Sequence, residues 1–272
     1  QANGTAFAAA RYNADGTPDT SFNANGRVTT AVGLGHLGPG AYAAALQPDG
    51  KIIALGESWS GASYDAQLVR YNADGTLDAT FGTLGKVTTD AGVNGDSIQS
   101  MAVQSDGKVL VAGYTGSSDG KRTDFALARF NSDGSPDSSF GSGGRLTTYL
   151  SSVGSNAYAL VVQADGKVVA AGGAGGIFAL VRYHTDGSLD TTFNSDGKVS
   201  TSIGSYGAAQ AVAIQPDGKL VVAGFASNGS NVDIALARYN PDGALDTGFG
   251  SLGKLVNAGS LGDDYPSALA VQ

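Results

Sequence analysis

An all-β chain of five four-stranded repeat units, arranged as a β-propeller, is what this sequence predicts. Three observations carry the prediction. One turn motif recurs five times at a period of 53–59 residues, a second alternates with it, and short apolar runs lie between them. Composition agrees. Glycine makes up 42 of the 272 residues and charged residues only 15%. Glycine at this density works against long helices, since each interior glycine costs about 1 kcal/mol relative to alanine. There is no G-x-y period, so the chain is not collagen-like. At 42% hydrophobic residues it has enough apolar material for a full core.

The first motif is Arg-aromatic-x-x-Asp-Gly, starting at Arg11, Arg70, Arg129, Arg182 and Arg238. Four residues after each arginine stands Asp15, Asp74, Asp133, Asp186 or Asp242, and eight after it Asp19, Asp78, Asp137, Asp190 or Asp246. A phenylalanine and then Gly-Lys or Gly-Arg close the motif, as in Phe81 and Gly85-Lys86. The second motif is Gln-x-Asp-Gly-Lys, at Gln47, Gln104, Gln163 and Gln215, with a fifth glutamine at Gln272.

Each unit holds four expected strands, A to D. Strand A runs apolar up to its glutamine (Ala211-Val212-Ala213-Ile214; Leu269-Ala270-Val271 in the last copy). Strand B follows the Asp-Gly turn (Lys108-Val109-Leu110-Val111), strand C leads into the arginine motif (Phe125-Ala126-Leu127-Ala128), and strand D is Lys86-Val87-Thr88-Thr89 and its counterparts. Strands A, B and C are apolar on successive residues, the pattern of strands buried on both faces. Strand D carries Lys, Arg and Thr, as exposed edge strands do. The small residues of strand A suit a crowded centre and strand D a wet rim.

The motif arginine to the end of strand D spans 19 residues in all five units, and the glutamine to the glycine closing strand B spans 9 in all four complete units. Length varies only in the D–A connections (17, 15, 15, 14 and 15 residues) and the B–C connections (14, 16, 10 and 14). A–B and C–D turns share one end of a blade, so that face is fixed and the opposite face carries all the variation. Variable loops on a rigid scaffold are where binding residues concentrate.

These residues resemble the delta-60 repeat. Its signature reads here as Arg70-Tyr71-Asn72-x-Asp74-Gly75-x-x-Asp78-x-x-Phe81 followed by Gly85-Lys86-Val87-Thr88-Thr89, alternating with Gln47-Pro48-Asp49-Gly50-Lys51. The resemblance covers nearly the whole chain. It implies a β-propeller of the kind found in large secreted and cell-surface bacterial proteins, and the layout is also similar to NHL-type propellers. It brings no catalytic residues.

Counting units, the chain is expected to form one domain over residues 1–272, or a piece of a longer repeat protein. Residues 6–30 supply a strand C and a strand D, and Leu269–Val271 a strand A. The fifth blade is therefore expected to be split between the termini and to lack its strand B. Strand donation from a neighbouring subunit is one way to fill such a gap.

Asn72-x-Asp74-Gly75-x-x-Asp78 matches part of a calcium loop. However, arginine stands two places before the Asn-type position in every unit, where such a loop needs an acid. An Arg–carboxylate bridge with an Asx turn, five times over, is the expected role, with calcium as the rival. No metal and no cofactor are expected. Cysteine is absent and only His36 and His184 are present, so a structural zinc site of the usual kind cannot be assembled. His184 takes a slot held by Asn elsewhere. Gly33-Leu34-Gly35-His36-Leu37-Gly38 matches GxGxxG but leads into a strand and opens no helix, so a dinucleotide role has no support.

Net charge is −8, which repels phosphate backbones and anionic lipid. No apolar run approaches the length of a spanning helix. The expected function is therefore non-catalytic: a secreted or cell-surface bacterial propeller for protein–protein contact or extracellular assembly. A carbohydrate-binding module is the first alternative and a carboxylate-dependent hydrolase the second, given 24 acidic residues. Candidate partner-binding residues on the variable face are Trp59, Tyr64, Tyr114, Asp96, Tyr206, Asp263, Asp264 and Tyr265, because aromatics beside polar groups suit sugar or protein contact.

Overall fold

The computed structural model describes residues 6–32, 41–59, 64–89, 97–117, 119–257 and 262–271. Eighteen strands and no helix are found among them, and hence no helix able to cross a membrane. The strands fall into five antiparallel sheets, taken in chain order as sheets I to V.

Sheet I has two strands, β1 (Ala6–Ala10) and β2 (Arg27–Ala31). Sheet II holds β3 (Ala41–Leu46), β4 (Ile52–Trp59), β5 (Tyr64–Tyr71) and β6 (Lys86–Thr89). Sheet III holds β7 (Ser97–Val103), β8 (Val109–Gly116), β9 (Thr123–Phe130) and β10 (Arg145–Thr148). Sheet IV holds β11 (Ser155–Val162), β12 (Val168–Ala174), β13 (Ile177–Tyr183) and β14 (Lys198–Thr201). Sheet V holds β15 (Tyr206–Ile214), β16 (Leu220–Ser227), β17 (Val232–Tyr239) and β18 (Lys254–Asn257). Sheets II to V are each a meander in the order A-B-C-D, since tight Asp-Gly turns can join only antiparallel neighbours.

Four apolar cores each lie between consecutive sheets. Phe7 packs on Val69 and Tyr71, Leu68 and Phe81 on Val109 and Phe130, Leu127 and Phe140 on Val168 and Tyr183, and Leu180 and Phe193 on Leu220 and Tyr239. In sheets II to IV strands B and C face a core on both sides, which explains their unbroken apolar runs. Along β9 every residue after Thr123 is buried.

The motif residues tie each junction. The motif tyrosine reaches back to the sheet before it: Tyr71 Oη donates to Thr30 Oγ1 (2.9 Å) and Tyr239 Oη to Thr201 Oγ1 (2.8 Å), while Tyr183 and Thr148 share a 2.7 Å bond. The backbone N–H groups of Asn23, Gly82, Gly141 and Asn194 donate forward to the carbonyls of Asp74, Asp133, Asp186 and Asp242 at 2.6–2.8 Å.

The structure departs from the sequence expectation in three places. Residues Leu269–Val271, expected as a fifth strand A, form no strand. In sheets II to V strand A pairs with the strand B of its own unit, and these residues have no such neighbour among the described ones. The split unit is accordingly a two-stranded sheet, short by two strands rather than one. Strand A is also less covered than its composition implies, with β7 half-buried along most of its length and Leu46 70% exposed.

No described core joins sheet V to sheet I. The outward face of sheet V lies open: Leu255 is 40% exposed, against 9% and 6% for its counterparts Val87 and Val199. Tyr12, whose counterparts Tyr71, Tyr183 and Tyr239 are buried, is 56% exposed on the far side of sheet I.

Candidate functional site

On the fixed face the motif arginine is held from three sides. Its Nε donates to the aspartate eight residues on: Arg11–Asp19 2.7 Å, Arg70–Asp78 2.8 Å, Arg129–Asp137 2.7 Å, Arg182–Asp190 2.7 Å and Arg238–Asp246 2.8 Å. Its guanidinium lies over the motif phenylalanine, with Arg70 4.4 Å from the Phe81 centroid, a cation–π contact. Its Nη1 donates to a turn carbonyl of the following unit: Arg11 to Ala73, Arg70 to Ser132, Arg129 to Thr185 and Arg182 to Pro241. The aspartate four residues after the arginine closes an Asx turn; Asp74 Oδ1 accepts from Thr76 N at 2.9 Å.

A second cation, which the sequence reading did not pair with this site, meets the same carboxylate. The lysine of the glutamine motif reaches it from strand B: Lys51–Asp78 3.0 Å, Lys108–Asp137 2.9 Å, Lys167–Asp190 3.0 Å and Lys219–Asp246 3.0 Å. The signal was present, since lysine recurs at that place in all four complete units. Burial alone would raise the pKa of Asp78, Asp137 and Asp190. Hydrogen bonds from Thr80, Ser139 and Thr192, with the lysine and arginine, outweigh it and hold all three well below the usual carboxylate range. These acids are buried, ionised and fully engaged. Among the described residues no three His, Cys, Asp or Glu gather as a metal-binding group.

Charged clefts line this face. One of about 420 Å³ lies where Lys51, Arg70, Asp106 and Asp133 meet, and one of about 500 Å³ repeats its pattern at the next junction with Lys108, Arg129 and Asp186. A cleft that recurs with the same residue types at two successive junctions belongs to the repeat itself.

The variable face carries a cleft of about 310 Å³ between sheets IV and V. Thr123, Ser155, Asn156, Tyr158 and Tyr206 line it over a glycine floor at Gly173, Gly175 and Gly176. Its location has a sequence cause. The B–C connection of sheet IV is the shortest of the four, at 10 residues, and closes as a two-residue Gly175-Gly176 turn with φ of +59° and +83°, the left-handed pair that such hairpins need. A Cβ on Gly176 would sit 2.7 Å from Tyr206 Cδ2, so the tyrosine ring rests on bare backbone.

Its polar groups form a short chain. Thr123 Oγ1 donates to Asn156 Oδ1 (2.6 Å), and Asn156 Nδ2 donates to Tyr158 Oη (3.1 Å). Ser155 is 2% exposed and its Oγ has no hydrogen-bond partner among the described residues. Tyr158 also lines a second hollow of about 300 Å³, with Gln99, Gln210, Tyr265, Pro266 and Ser267. Gln99, Tyr158 and Gln210 occupy equivalent places in β7, β11 and β15, where each strand A bulges against its strand B. A bulge adds one unpaired residue and re-aims its side chain. Sequence periodicity alone does not reveal such a residue.

Of the expected residues, the structure gathers Tyr206, Asp263, Asp264 and Tyr265. Phe225, not anticipated, bridges the two tyrosines, at 5.9 Å from Tyr206 and 5.1 Å from Tyr265. Tyr206 and Tyr265 are 55% and 54% exposed. Asp263 Oδ1 accepts from Val232 N (2.9 Å) and Asp264 N donates to Val232 O (2.8 Å), pinning the terminal segment to β17. Tyr114 is half-buried in β8, in another sheet. Trp59 and Tyr64 pair through their backbones at the end of the β4–β5 hairpin; their side chains, like Asp96 and the loop carrying His36, lie outside the described residues. Arg122 is engaged locally by Asp124 at 3.3 Å and by the Tyr149 ring.

The profile of a family described as "Domain of unknown function (DUF5122) beta-propeller" matches residues 1–22, 47–81, 104–140, 163–193 and 215–249. The last four segments run from a motif glutamine to a motif phenylalanine. Comparison with curated proteins finds no match. Among solved structures, similarity extends to a protein of unknown function from Bacteroides caccae (14% identity, 78% of this chain and 60% of that one, TM-score 0.46). It extends also to Kuenenia stuttgartiensis hydrazine synthase (14% identity, 88% and 30%, TM-score 0.43). A Lactobacillus plantarum protein gives 14% identity, 89% and 80%, and a TM-score of 0.38. The chain thus spans less than two thirds of the length of the first two.

Proposed function

The chain belongs to the DUF5122 β-propeller family, and we propose that it is a non-catalytic binding scaffold. In this reading it is secreted or displayed at a bacterial cell surface, and its variable face engages an extracellular partner. One observation carries the reading. Charged side chains of the repeat are bound into the turns of the fixed face, whereas the variable face carries exposed aromatics, Tyr206 on a cleft and Tyr265 on the hollow beside it, both lined by uncharged residues. Aromatics with one apolar face and a polar tip are favoured where surfaces meet partners. The resemblance to delta-60 repeats supports the extracellular setting.

The test is a binding comparison on immobilised protein, using extracellular proteins and glycans. The full chain and its Tyr206→Ala/Tyr265→Ala double variant are run side by side. Binding that the double variant loses while melting like the parent supports the reading. Binding that the double variant keeps, or turnover of a glycoside by the parent chain, overturns it.

A further inference from the structure

We propose that the groove formed by the cleft between sheets IV and V and the hollow beside it is a binding site for a neutral oligosaccharide. The proposal rests on the binding-scaffold reading and names its ligand class.

The lining is chemically selective. None of the residues lining either part of the groove is charged, in a chain of net charge −8 whose fixed-face clefts at Lys51 and Lys108 are lined by Asp, Lys and Arg. What remains is hydroxyl and amide: Thr123, Ser155, Asn156 and Tyr158 in the cleft, Gln99 and Gln210 in the hollow. Such groups both donate and accept, as a sugar hydroxyl does, and they offer no fixed charge to an anion or a cation.

Two groups are left open. Ser155 Oγ and Gln210 Oε1 are shielded from solvent and make no hydrogen bond among the described residues. A buried polar atom without a partner is destabilising, so ligand hydroxyls that reach these groups recover stabilisation that the free chain lacks. Tyr206 supplies the apolar element. Its ring rests on Gly176 on one side and is 55% exposed, a platform on which the C–H face of a pyranose can lie.

The shape favours a chain of sugars over a single one. Each half is near 300 Å³, the lower bound for a small-molecule site. Tyr158 belongs to both halves, so a ligand passing Tyr158 touches the two in turn. Tyr265 then bounds the far half.

The experiment is calorimetric titration of the full chain with neutral gluco-, manno- and galacto-configured trisaccharides, and with a uronic-acid trisaccharide as charged control. The expected result is saturable binding of at least one neutral trisaccharide, with the acidic one at least tenfold weaker. Tyr206→Ala should lower affinity at least tenfold and Tyr206→Phe should keep it. Ser155→Ala should weaken binding several-fold while the melting temperature of the free chain stays level or rises, since an unpartnered buried hydroxyl is removed. Failure of all neutral trisaccharides, equal binding of the acidic one, or binding indifferent to Tyr206→Ala would each overturn the proposal. If sugars fail while a protein ligand binds and is lost in the tyrosine double variant, this proposal falls and the scaffold reading stands. If no partner of either kind binds, both fall.

Discussion

Lys51 Nζ lies 3.0 Å from Asp78 Oδ2, the oxygen that Arg70 Nε also reaches at 2.8 Å. Two turn motifs that alternate along the chain therefore meet at one carboxylate, and the arrangement recurs in the next three units. Asp78 is the member on which the others depend, because both cations converge on it and Arg70 is nearly as buried as Asp78.

Asp78→Asn is accordingly expected to destabilise the chain by about 3 kcal/mol or more, since removing one partner leaves a buried charge uncompensated. Lys51→Met is expected to cost about 1 kcal/mol or less, because the lysine keeps a foot in solvent and Arg70 still neutralises the acid. Urea denaturation of the two variants beside the parent checks the order. A larger loss for Lys51→Met would show that the lysine, not the arginine, is the essential partner.

The same acids set the pH dependence. Asp78, Asp137 and Asp190 have folded-state pKa values below their unfolded value of 3.8. In the relevant window the unfolded chain therefore binds more protons, and stability rises with pH. Stability from these groups is fully present above about pH 5 and drains away as pH falls below about 4. Melting temperature should be level from pH 5 to 7 and drop steeply between pH 4 and 2. A level profile to pH 2 would contradict the assignment.

The arginine occupies the place where a calcium loop would carry an acid, and its guanidinium bonds the very carboxylate a metal would use. Neither added calcium nor a chelator should move the melting temperature. A calcium-dependent rise would replace the ion-pair account with a metal one.

Leu180 and Leu236 stand at equivalent places in β13 and β17, but only Leu180 has a sheet in front of it. Leu180→Ala should cost about 2–5 kcal/mol as a core truncation, and Leu236→Ala clearly less. Equal losses would mean that the face of sheet V is covered in solution.

Gly176→Ala would place a Cβ against the Tyr206 ring at a backbone φ of +83°. It is expected to destabilise by about 1–2 kcal/mol and to weaken any ligand that depends on Tyr206. A variant that binds unchanged would separate the tyrosine from the cleft.

Much of this architecture was legible in the chain itself. The eight-residue step from Arg70 to Asp78 is local, so the turn that brings them together is written in the intervening residues. The same holds for the Asx turns at Asp15 and Asp74, and for the antiparallel order that short turns impose. The candidate site was legible only in part. Tyr206 and Tyr265 stood out as aromatics in variable connections. Phe225, which joins them, read as one more strand residue, and the bulged Gln99, Tyr158 and Gln210 broke no pattern that alternation could show. Lys51 was visible as a recurring residue, but its partner lies 27 positions on in sequence and one strand away in space.

The sequence by itself determined the unit: four strands, two fixed turns, and a face on which all length variation falls. These follow from short-range chemistry, namely turn residues, strand propensity and apolar runs, which each unit repeats independently. Tertiary structure decided what happens between units and at the ends. It left Leu269–Val271 out of any sheet, because a strand needs a neighbour and apolar residues alone do not supply one. It left sheet V and Tyr12 uncovered, because the forward face of one unit is buried only by the next. It also opened one neutral cleft where a shortened hairpin meets a tyrosine 30 residues away, an encounter set by how sheets IV and V stack and not by either segment alone.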